Sequence, residues 1–209
     1  MFSGIIEALV PALSGEARSG LYRLRLVRPR EFTDLKSGDS IAVNGVCLTI
    51  ETFDEASMVF ALAAETLKIL RWDPSQILDQ RYNLERSLRF GDRIHGHLVS
   101  GHVEAMGTVV GLFEEGESLH LKVSLPKEVL PFLWRKGSLT LNGVSLTVNE
   151  LIDSLVVVCL IPETRKRTNL GDLKIGDLVT LETDQMARAM LRLLESGILE
   201  RSRSLEVSS

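Results

Sequence analysis

The stretch Ser40-Ile-Ala-Val-Asn-Gly-Val-Cys-Leu-Thr-Ile50 decides the fold of this chain, because the chain contains a second version of it. The second version is Ser138-Leu-Thr-Leu-Asn-Gly-Val-Ser-Leu-Thr-Val148, which shares Ser, Asn, Gly, Val, Leu and Thr in register. One polar position differs in kind, because Cys47 in the first stretch is Ser145 in the second. A thiol and a hydroxyl at equivalent places indicate two similar pockets with different chemical duties.

The repeat extends through most of the chain. Three further segments recur in the same order 97 or 98 positions later: Ser3-Gly-Ile-Ile-Glu-Ala8 as Ser100-Gly-His-Val-Glu-Ala105, Ala64-Glu-Thr66 as Pro162-Glu-Thr164, and Asn83-Leu-Glu85 as Thr180-Leu-Glu182. Matches that keep both their order and their spacing indicate a duplicated domain. We therefore predict one domain over residues 1–97 and a second over residues 98–185.

Most of each repeat has the pattern of β-strands. Short alternating or apolar runs, such as residues 22–27 and 154–161, are bounded by Gly, Asp and Asn, which is typical of strands. About five or six such strands in a domain of this size must curl to hide their edges, which favours a small Greek-key barrel. Asn-Gly at 44–45 and at 142–143 is predicted to form a tight turn or bulge.

The last segment departs from the β pattern. Asp184 can cap a helix, and apolar side chains then recur at helical spacing: Met186, Met190, Leu193 and Leu194. We predict this helix over residues 186–203, followed by a tail over 204–209. Two explanations of its apolar face stay open. The helix packs back on the second barrel, or it joins copies of the chain in a homodimer or homotrimer.

Composition limits the classes of partner. A net charge of −4 and 5% aromatic residues argue against nucleic acid, which needs basic grooves and surface aromatics. No apolar run approaches the roughly 20 residues that span a bilayer, and the N-terminal residues lack a signal-peptide pattern. We therefore expect a cytoplasmic protein without a membrane partner. Cys47 and Cys159 lie in separate repeats, which favours free thiols.

Cys47 and Ser145 are the first candidates for chemistry. Residues two apart on an extended segment project from the same face, so Cys47 is expected to share a pocket with Thr49, and Ser145 with Thr147. A cysteine in a strand is more often a small buried hydrophobe, and Cys159, within an apolar run, is predicted to be such a core residue. The polar match with Ser145 favours a functional Cys47.

Three histidines lie close together around the start of the second repeat. Their spacing matches no zinc pattern, so we predict no metal site. His102 is a candidate proton carrier, because it replaces the apolar Ile5 of the first repeat at a position expected to be buried. His97 is predicted to be a structural hydrogen-bonding residue at the domain junction. Lys136 and Asp184 have ordinary alternative roles, as a surface lysine and a helix cap.

Several motifs are shared with a known family: the opening Met-Phe-Ser-Gly-Ile-Ile-Glu, the doubled Asn-Gly-Val-(Cys/Ser)-Leu-Thr, Gly96-His-Leu-Val-Ser-Gly-His102, Ile161-Pro-Glu-Thr164 and Leu170-Gly-Asp-Leu-Lys-Ile-Gly-Asp177. With these motifs the chain resembles the riboflavin synthases of the α-chain type over almost its whole length. It departs from their pattern at Val103-Glu-Ala-Met106, where many members have Val-Asp-Gly, and at residues 70–75, where their Thr-x-Leu-Gly turn is missing.

The resemblance implies a fold, a reaction and an assembly. Proteins of this family form two similar six-stranded Greek-key barrels and a C-terminal helix, and three chains associate through those helices. They convert two molecules of 6,7-dimethyl-8-ribityllumazine into riboflavin and 5-amino-6-ribitylaminouracil by four-carbon transfer, with no metal or redox cofactor. Each barrel binds one lumazine, and the site forms between the first barrel of one subunit and the second barrel of its neighbour. Association with a lumazine synthase is a further possible partnership.

Carried over position by position, the resemblance implies two sets of lumazine contacts. The set of the first barrel is Gly4, Ile5, Ile6, Ser40, Cys47, Leu48, Thr49, Ala61, Leu62, Ala63, Ala64, Glu65 and Thr66. The set of the second barrel is His102, Val103, Glu104, Lys136, Ser145, Leu146, Thr147, Ile161, Pro162, Glu163, Thr164, Arg165 and Lys166. Extended backbone at the strand edges would bind the amide edge of the ring, and polar side chains would bind the ribityl chain.

The catalytic residues that the resemblance implies are Cys47, Ser145, His102, Thr147 and Asp184. Cys47 and Ser145 would assist addition or proton transfer at the reacting carbons, His102 and Thr147 would shuttle protons, and Asp184 would orient the second site. One alternative function uses the same fold. A non-enzymatic lumazine- or flavin-binding accessory protein would keep the barrels and lose catalytic side chains. This chain instead keeps all of the following: Cys47, Thr49, His102, Ser145 and Thr147.

Overall fold

The computed structural model describes residues 1–71 and 77–196, apart from the side chains of Ala64 and Glu65. These residues form two closed barrels, each of six antiparallel strands. The first barrel contains β1 (Ala8–Arg18), β2 (Leu21–Val27), β3 (Ser40–Val43), β4 (Val46–Phe53), β5 (Ser57–Ala63) and β6 (Arg81–Arg86). The second contains β7 (Ala105–Glu115), β8 (Ser118–Ser124), β9 (Ser138–Leu141), β10 (Val144–Ile152), β11 (Leu155–Leu160) and β12 (Leu178–Thr183).

The strands follow the same order around both barrels. The first barrel reads β1-β2-β5-β4-β3-β6, and the second reads β7-β8-β11-β10-β9-β12. The predicted duplicated Greek-key barrel is therefore confirmed. Side chains along a strand alternate between the barrel interior and its outer face, as in β2, where Tyr22, Leu24 and Leu26 are buried. This alternation fixes the register, because a slip by one residue would turn every core side chain outward.

Short helices follow the fifth strand of each barrel. α1 (Ala64–Leu70) follows β5, and α2 (Pro162–Arg167) follows β11. Short 3-10 helices lie at Ile77–Asp79, Lys127–Phe132 and Asn169–Asp172. The sequence pattern predicted neither of the two short helices α1 and α2. Proline is favoured at the first position of a helix such as α2, because an N–H group at that position would have no hydrogen-bond acceptor within the helix.

The C-terminal helix, α3 (Gln185–Glu195), follows β12 directly. The Asp184 carboxylate accepts a hydrogen bond of 2.8 Å from the Met186 amide, so the predicted cap is confirmed. The predicted helix residues beyond Ser196 and the predicted tail lie outside the described residues. In the described part of the chain, no helix is long and apolar enough to cross a bilayer.

The segments that lead into the two barrels are exchanged. Ile6, which precedes β1, packs in the core of the second barrel, and its equivalent Val103 packs against the core of the first. Where the segments cross, Phe2 and Val99 exchange two backbone hydrogen bonds of 2.8 and 3.0 Å. Each barrel therefore completes its core with a side chain from the other repeat.

The Asn-Gly turns of the two barrels meet at the centre of the molecule. The predicted tight turns are confirmed at 44–45 and 142–143, where both residues of each turn have positive φ, as two-residue hairpins of this kind require. The backbones of Gly45 and Gly143 are in contact, since a β-carbon on Gly143 would lie 2.6 Å from the amide nitrogen of Gly45. Only glycine fits at this contact between the barrels.

An asparagine from the second barrel secures the contact between the turns. The Asn169 side-chain amide donates to Asn44 Oδ1 at 2.9 Å, and its oxygen accepts from Asn83 at 2.9 Å and from Asn142 at 3.1 Å. The Asn83 side chain also donates to the Asn142 carbonyl at 2.9 Å. A buried polar network that satisfies its members in this way specifies one arrangement of the two barrels.

Candidate functional site

The outer face of each barrel carries the thiol and hydroxyl groups expected to do chemistry. In β4, Cys47 is half-buried and Thr49 is exposed, whereas residues 46, 48 and 50 are buried. In β10, Ser145 and Thr147 show the same alternation with buried neighbours. The prediction that each pair shares one face is therefore confirmed.

A glycine from the other repeat covers each of the two reactive positions. The amide of Cys47 donates to the Gly101 carbonyl at 2.8 Å, and the amide of Ser145 donates to the Gly4 carbonyl at 2.8 Å. A β-carbon on Gly101 would lie 2.6 Å from Cys47 Cβ, and one on Gly4 would lie 2.6 Å from Ser145 Cβ. The glycines have φ of 81° and 75°, so the backbone conformation also favours glycine.

This exchange changes how the predicted site residues are grouped. The resemblance groups residues 4–6 with Cys47 in the first barrel, and residues 102–104 with Ser145 in the second. Within one chain, Gly4 instead lies against Ser145, and Gly101, next to His102, lies against Cys47. The assignment differed because the two segments cross before their strands begin, and spacing along a sequence does not show a crossing.

His97 contacts Ser145, which gives it a place in the site that the sequence analysis did not assign. His97 Nδ1 lies 2.8 Å from Ser145 Oγ, and His97 also donates its backbone amide to the Ser3 carbonyl at 3.2 Å. Burial lowers the pKa of His97, while the charges of Asp184 and Glu182 act in the opposite direction. Its predicted role as a hydrogen-bonding residue at the junction is confirmed, and the bonded partner is a candidate catalytic group.

His102 lies on the surface, with its amide 3.2 Å from the Ser100 hydroxyl. Its equivalent Ile5 is 44% exposed. The expectation of a buried apolar position was therefore wrong, because the alternation places position 6, and not position 5, in a core. An exposed histidine and an exposed isoleucine at equivalent positions leave the two faces chemically different.

Four predicted contact residues have side chains in the barrel cores: Ile6, Leu48, Leu62 and Leu146. Such residues can reach a ligand on the outer face only with their backbone. Ser40 and Ala61 are half-buried, and Ala63 is exposed. The outer face of the first barrel therefore offers small side chains around Cys47 and Thr49.

Cys159 is a residue of the outer face that the sequence analysis placed in the core. It is half-buried, between the buried residues Val158 and Leu160. It pairs across strands with His120, whose ring stacks on Phe113 at 4.5 Å. The apolar run suggested a core strand, whereas the spacing of 98 positions from Ala61 identifies an outer-face position. The prediction that Cys47 and Cys159 are free thiols is confirmed.

The predicted contacts after β5 and β11 lie at the starts of the short helices. Ile161, Pro162, Glu163 and Lys166 are exposed, and Thr66, Thr164 and Arg165 are half-buried. Arg165 donates to Glu114 at 2.6 Å. Ala64 and Glu65 belong to α1, and their side chains lie outside the described residues.

Three further predicted residues have contrasting surroundings. The Glu104 carboxylate is bound to the backbone amide of Thr183 at 2.7 Å and lies 3.6 Å from Arg188, so it is already engaged within the protein. Asp184 caps α3. Lys136 is exposed and has φ of 70°, whereas the equivalent residue of the first repeat is Gly38 with φ of 94°. A lysine in a left-handed conformation is strained, and such strain is common at functional sites.

Comparison with known proteins identifies the family. A model of the lumazine binding domain matches residues 3–87 and again residues 100–184. The chain is 37% identical over 202 residues to the riboflavin synthase of Mycobacterium tuberculosis, covering 94% of this chain and 100% of that protein. The chain belongs to the riboflavin synthase family. The family predicted from the sequence motifs is therefore confirmed.

Other riboflavin synthases match at similar levels. That of Photobacterium phosphoreum is 34% identical over 195 residues, 93% of this chain and 89% of that protein. That of Schizosaccharomyces pombe is 32% identical over 204 residues, 96% of this chain and 97% of that protein. A crystal structure of LumP complexed with riboflavin superposes with a TM-score of 0.80, covering 88% of this chain and 99% of LumP. At 22% identity, LumP shows the common fold alone.

Replacing Lys136 with glycine should separate stability from binding. Glycine adopts positive φ without strain, so the free energy of unfolding of Lys136→Gly should rise by about 1 kcal/mol. The loss of the ammonium group should weaken lumazine binding at the same time. Urea unfolding and fluorescence titration with 6,7-dimethyl-8-ribityllumazine measure the two effects. The control is Asp153→Gly, which relieves a φ of 53° in the β10–β11 turn and should leave binding unchanged. Unchanged binding in Lys136→Gly would exclude a ligand contact.

Proposed function

We propose that the chain catalyses the riboflavin synthase reaction, in which two molecules of 6,7-dimethyl-8-ribityllumazine give riboflavin and 5-amino-6-ribitylaminouracil. Similarity to riboflavin synthases over nearly the full length of the chain supports this function. The structural observation that carries it is the pair of equivalent outer faces, one with Cys47 and Thr49 and the other with Ser145 and Thr147. A reaction between two identical substrates needs two related binding faces.

The duplicated faces account for much of the expected rate enhancement. Two rings held in stacked register react as if in one molecule, which lowers the barrier by up to about 7–11 kcal/mol. The chemistry that remains is the removal of a proton from the 7-methyl group of one lumazine and addition of a nucleophile to the other. Both steps require groups that accept and return protons, and the two faces provide a thiol, hydroxyls and imidazoles.

The two faces have different means of moving a proton. A neutral His97 can accept the Ser145 hydroxyl proton at Nδ1, because the two atoms are within hydrogen-bonding distance. Burial favours this neutral form by lowering the pKa of His97. The first face instead carries the thiol of Cys47, which is a nucleophile as its thiolate. Roles for His102 and Thr147 in proton transfer and for Asp184 in orienting the second site belong to the same proposal.

The proposed assembly is a homotrimer in which the first barrel of one subunit faces the second barrel of the next. The apolar side of α3 supports a role in association, because Met186, Met190, Leu193 and Leu194 are 47–62% exposed. Exposed apolar stripes of this kind mark interaction surfaces. A cytoplasmic location remains a prediction from the sequence, and association with a lumazine synthase remains a prediction from the resemblance.

The turnover of lumazine distinguishes the enzyme from an accessory protein of the same fold. The purified protein should convert 6,7-dimethyl-8-ribityllumazine to riboflavin, followed by absorbance. Ser145→Ala and Cys47→Ala should each lower turnover by about 10²-fold or more while lumazine still binds, since each removes a proton-transfer group. Ser118→Ala, at the far end of β8, is the control and should keep full turnover. Lumazine binding without riboflavin formation by the unaltered chain would favour the accessory protein.

The acid limb of the turnover rate should depend on His97. Because burial lowers the pKa of His97, protonation should remove the acceptor for the Ser145 proton, and turnover should fall, only at a pH below the ordinary imidazole pKa of about 6.5. The same group should reduce stability on acidification, because the unfolded chain binds a proton more readily than the buried imidazole. Rate profiles and urea unfolding across pH 5 to 8 measure both effects. His97→Asn should flatten both profiles, whereas exposed His95→Gln should not. An unchanged acid limb in His97→Asn would exclude the proposed role.

A charge on the apolar side of α3 should separate the subunits. Met190 is 60% exposed in the chain, so Met190→Glu should fold normally while the buried charge disfavours association. Light scattering during size exclusion should then show a monomer, and turnover should be lost because each complete site needs two subunits. Gln185→Glu adds the same charge away from the apolar residues and should stay trimeric. A Met190→Glu protein that keeps both its oligomeric state and its activity would contradict the assembly.

A further inference from the structure

Two buried carboxylates hold the Ser-Gly segments that cover the reactive positions. Glu182 accepts hydrogen bonds from the Ser100 amide at 2.7 Å, the Ser100 hydroxyl at 2.6 Å and the Gly101 amide at 2.9 Å. Glu85 accepts the equivalent three from Ser3 and Gly4, at 2.7, 2.8 and 2.9 Å. The two carboxylate residues are 3% and 4% exposed. The arrangement is therefore the same in both repeats.

We propose that Glu182 and Glu85 are positioning residues that act across the boundary between the barrels. Glu182, on the second barrel, fixes the position of Cys47 on the first, and Glu85, on the first barrel, fixes the position of Ser145 on the second. The proposal rests on the proposed function only in treating Cys47 and Ser145 as reacting positions.

The path from carboxylate to reactive residue passes through one glycine. The Gly101 amide is bound to Glu182, and the Gly101 carbonyl is bound to the Cys47 amide at 2.8 Å. Glycine has no side chain to pack, and this one has a φ of 81°, which other residues rarely adopt. The orientations of the two peptide groups that flank Gly101 therefore depend on their hydrogen bonds. Hydrogen bonds to a carboxylate are stronger than those to a neutral acceptor, because the acceptor is charged.

The two carboxylates differ in one respect that links Cys47 to the C-terminal helix. Arg188 of α3 places Nη2 4.0 Å from Glu182 and Nε 3.6 Å from Glu104. In the first barrel, the residue equivalent to Glu104 is Glu7, which is bound to Arg86. Only the carboxylate that acts on Cys47 has, among the described residues, an ion pair to α3. Helix α3 thus contacts the carboxylate that fixes the position of Cys47.

The reactivity of a single thiol measures how each carboxylate affects the reactive position on the opposite barrel. In a Cys159→Ser background Cys47 is the only cysteine, and its rate of alkylation by a small maleimide reports on the cover that Gly101 provides. Glu182→Gln should raise this rate about tenfold through loss of charged hydrogen bonds, and Glu85→Gln should change it less than about twofold. The two variants are matched, because each replaces a buried glutamate with glutamine. The two glutamates accept hydrogen bonds from equivalent donors and lie in opposite barrels.

A second reporter reverses the test. With Cys47→Ser, Cys159→Ser and Ser145→Cys combined, the only thiol stands at position 145, and now Glu85→Gln should accelerate alkylation while Glu182→Gln should not. Arg188→Gln should accelerate alkylation of Cys47 alone, by less than Glu182→Gln does. If either glutamine variant does not fold, Ser100→Ala and Ser3→Ala remove one donor each and should give the same reciprocal pattern with smaller changes.

The reciprocal pattern separates positioning from a general structural role. Equal acceleration of both thiols by either variant would mean loosening of the whole fold and would overturn the proposal. Acceleration of the thiol in the same barrel as the altered carboxylate, or no acceleration at all, would overturn it too. Alkylation requires no lumazine, so these outcomes are independent of whether the chain forms riboflavin.

Discussion

The structure depends on an exchange of backbone hydrogen bonds between its two repeats. The amide of Cys47 donates to Gly101, and the amide of Ser145 donates to Gly4, each over 2.8 Å. These bonds require the two entry segments to cross, and the crossing carries Ile6 into the core of the second barrel. The same exchange provides the cover over the reactive positions and completes each core with a side chain from the other repeat. An antiparallel barrel has no free edge strand, so the repeats are joined by their entry segments and turns.

A symmetric frame holds two sites with different chemistry. The frame is repeated almost atom for atom, from the carboxylates of Glu85 and Glu182 to the glycines that they bind. The two faces differ in groups that can move protons: the hydroxyl of Ser145 has His97 at 2.8 Å, and the opposite face has the thiol of Cys47. In a transfer reaction between two copies of one molecule, one copy donates the four-carbon unit and the other accepts it. Such a reaction needs equal binding and unequal chemistry, which this arrangement provides.

Local pattern predicted part of the site and missed the rest for identifiable reasons. The pairs Cys47 with Thr49 and Ser145 with Thr147 were predicted because alternation along a strand is a local property. The exposure of Ile5 was not predicted, because the exposure of this side chain depends on where the entry segment lies on the opposite barrel. Cys159 was placed in the core because an apolar run does not distinguish a strand buried on both faces from one whose outer face is covered in part. The contact of His97 with Ser145 spans 48 positions and has no sequence signature.

The sequence by itself determined the duplication, the β-barrel class and the capped C-terminal helix, because periodicity, repeat spacing and turn residues can be read along the chain. Its motifs determined the family, and the resemblance to that family implied six strands in each barrel. Tertiary structure alone decided which residues face one another. The crossing of the entry segments exchanged Gly4 and Gly101 between the barrels, and a buried carboxylate bound each of them. Such contacts join residues more than 50 positions apart, and they form only when the fold has brought the two repeats together.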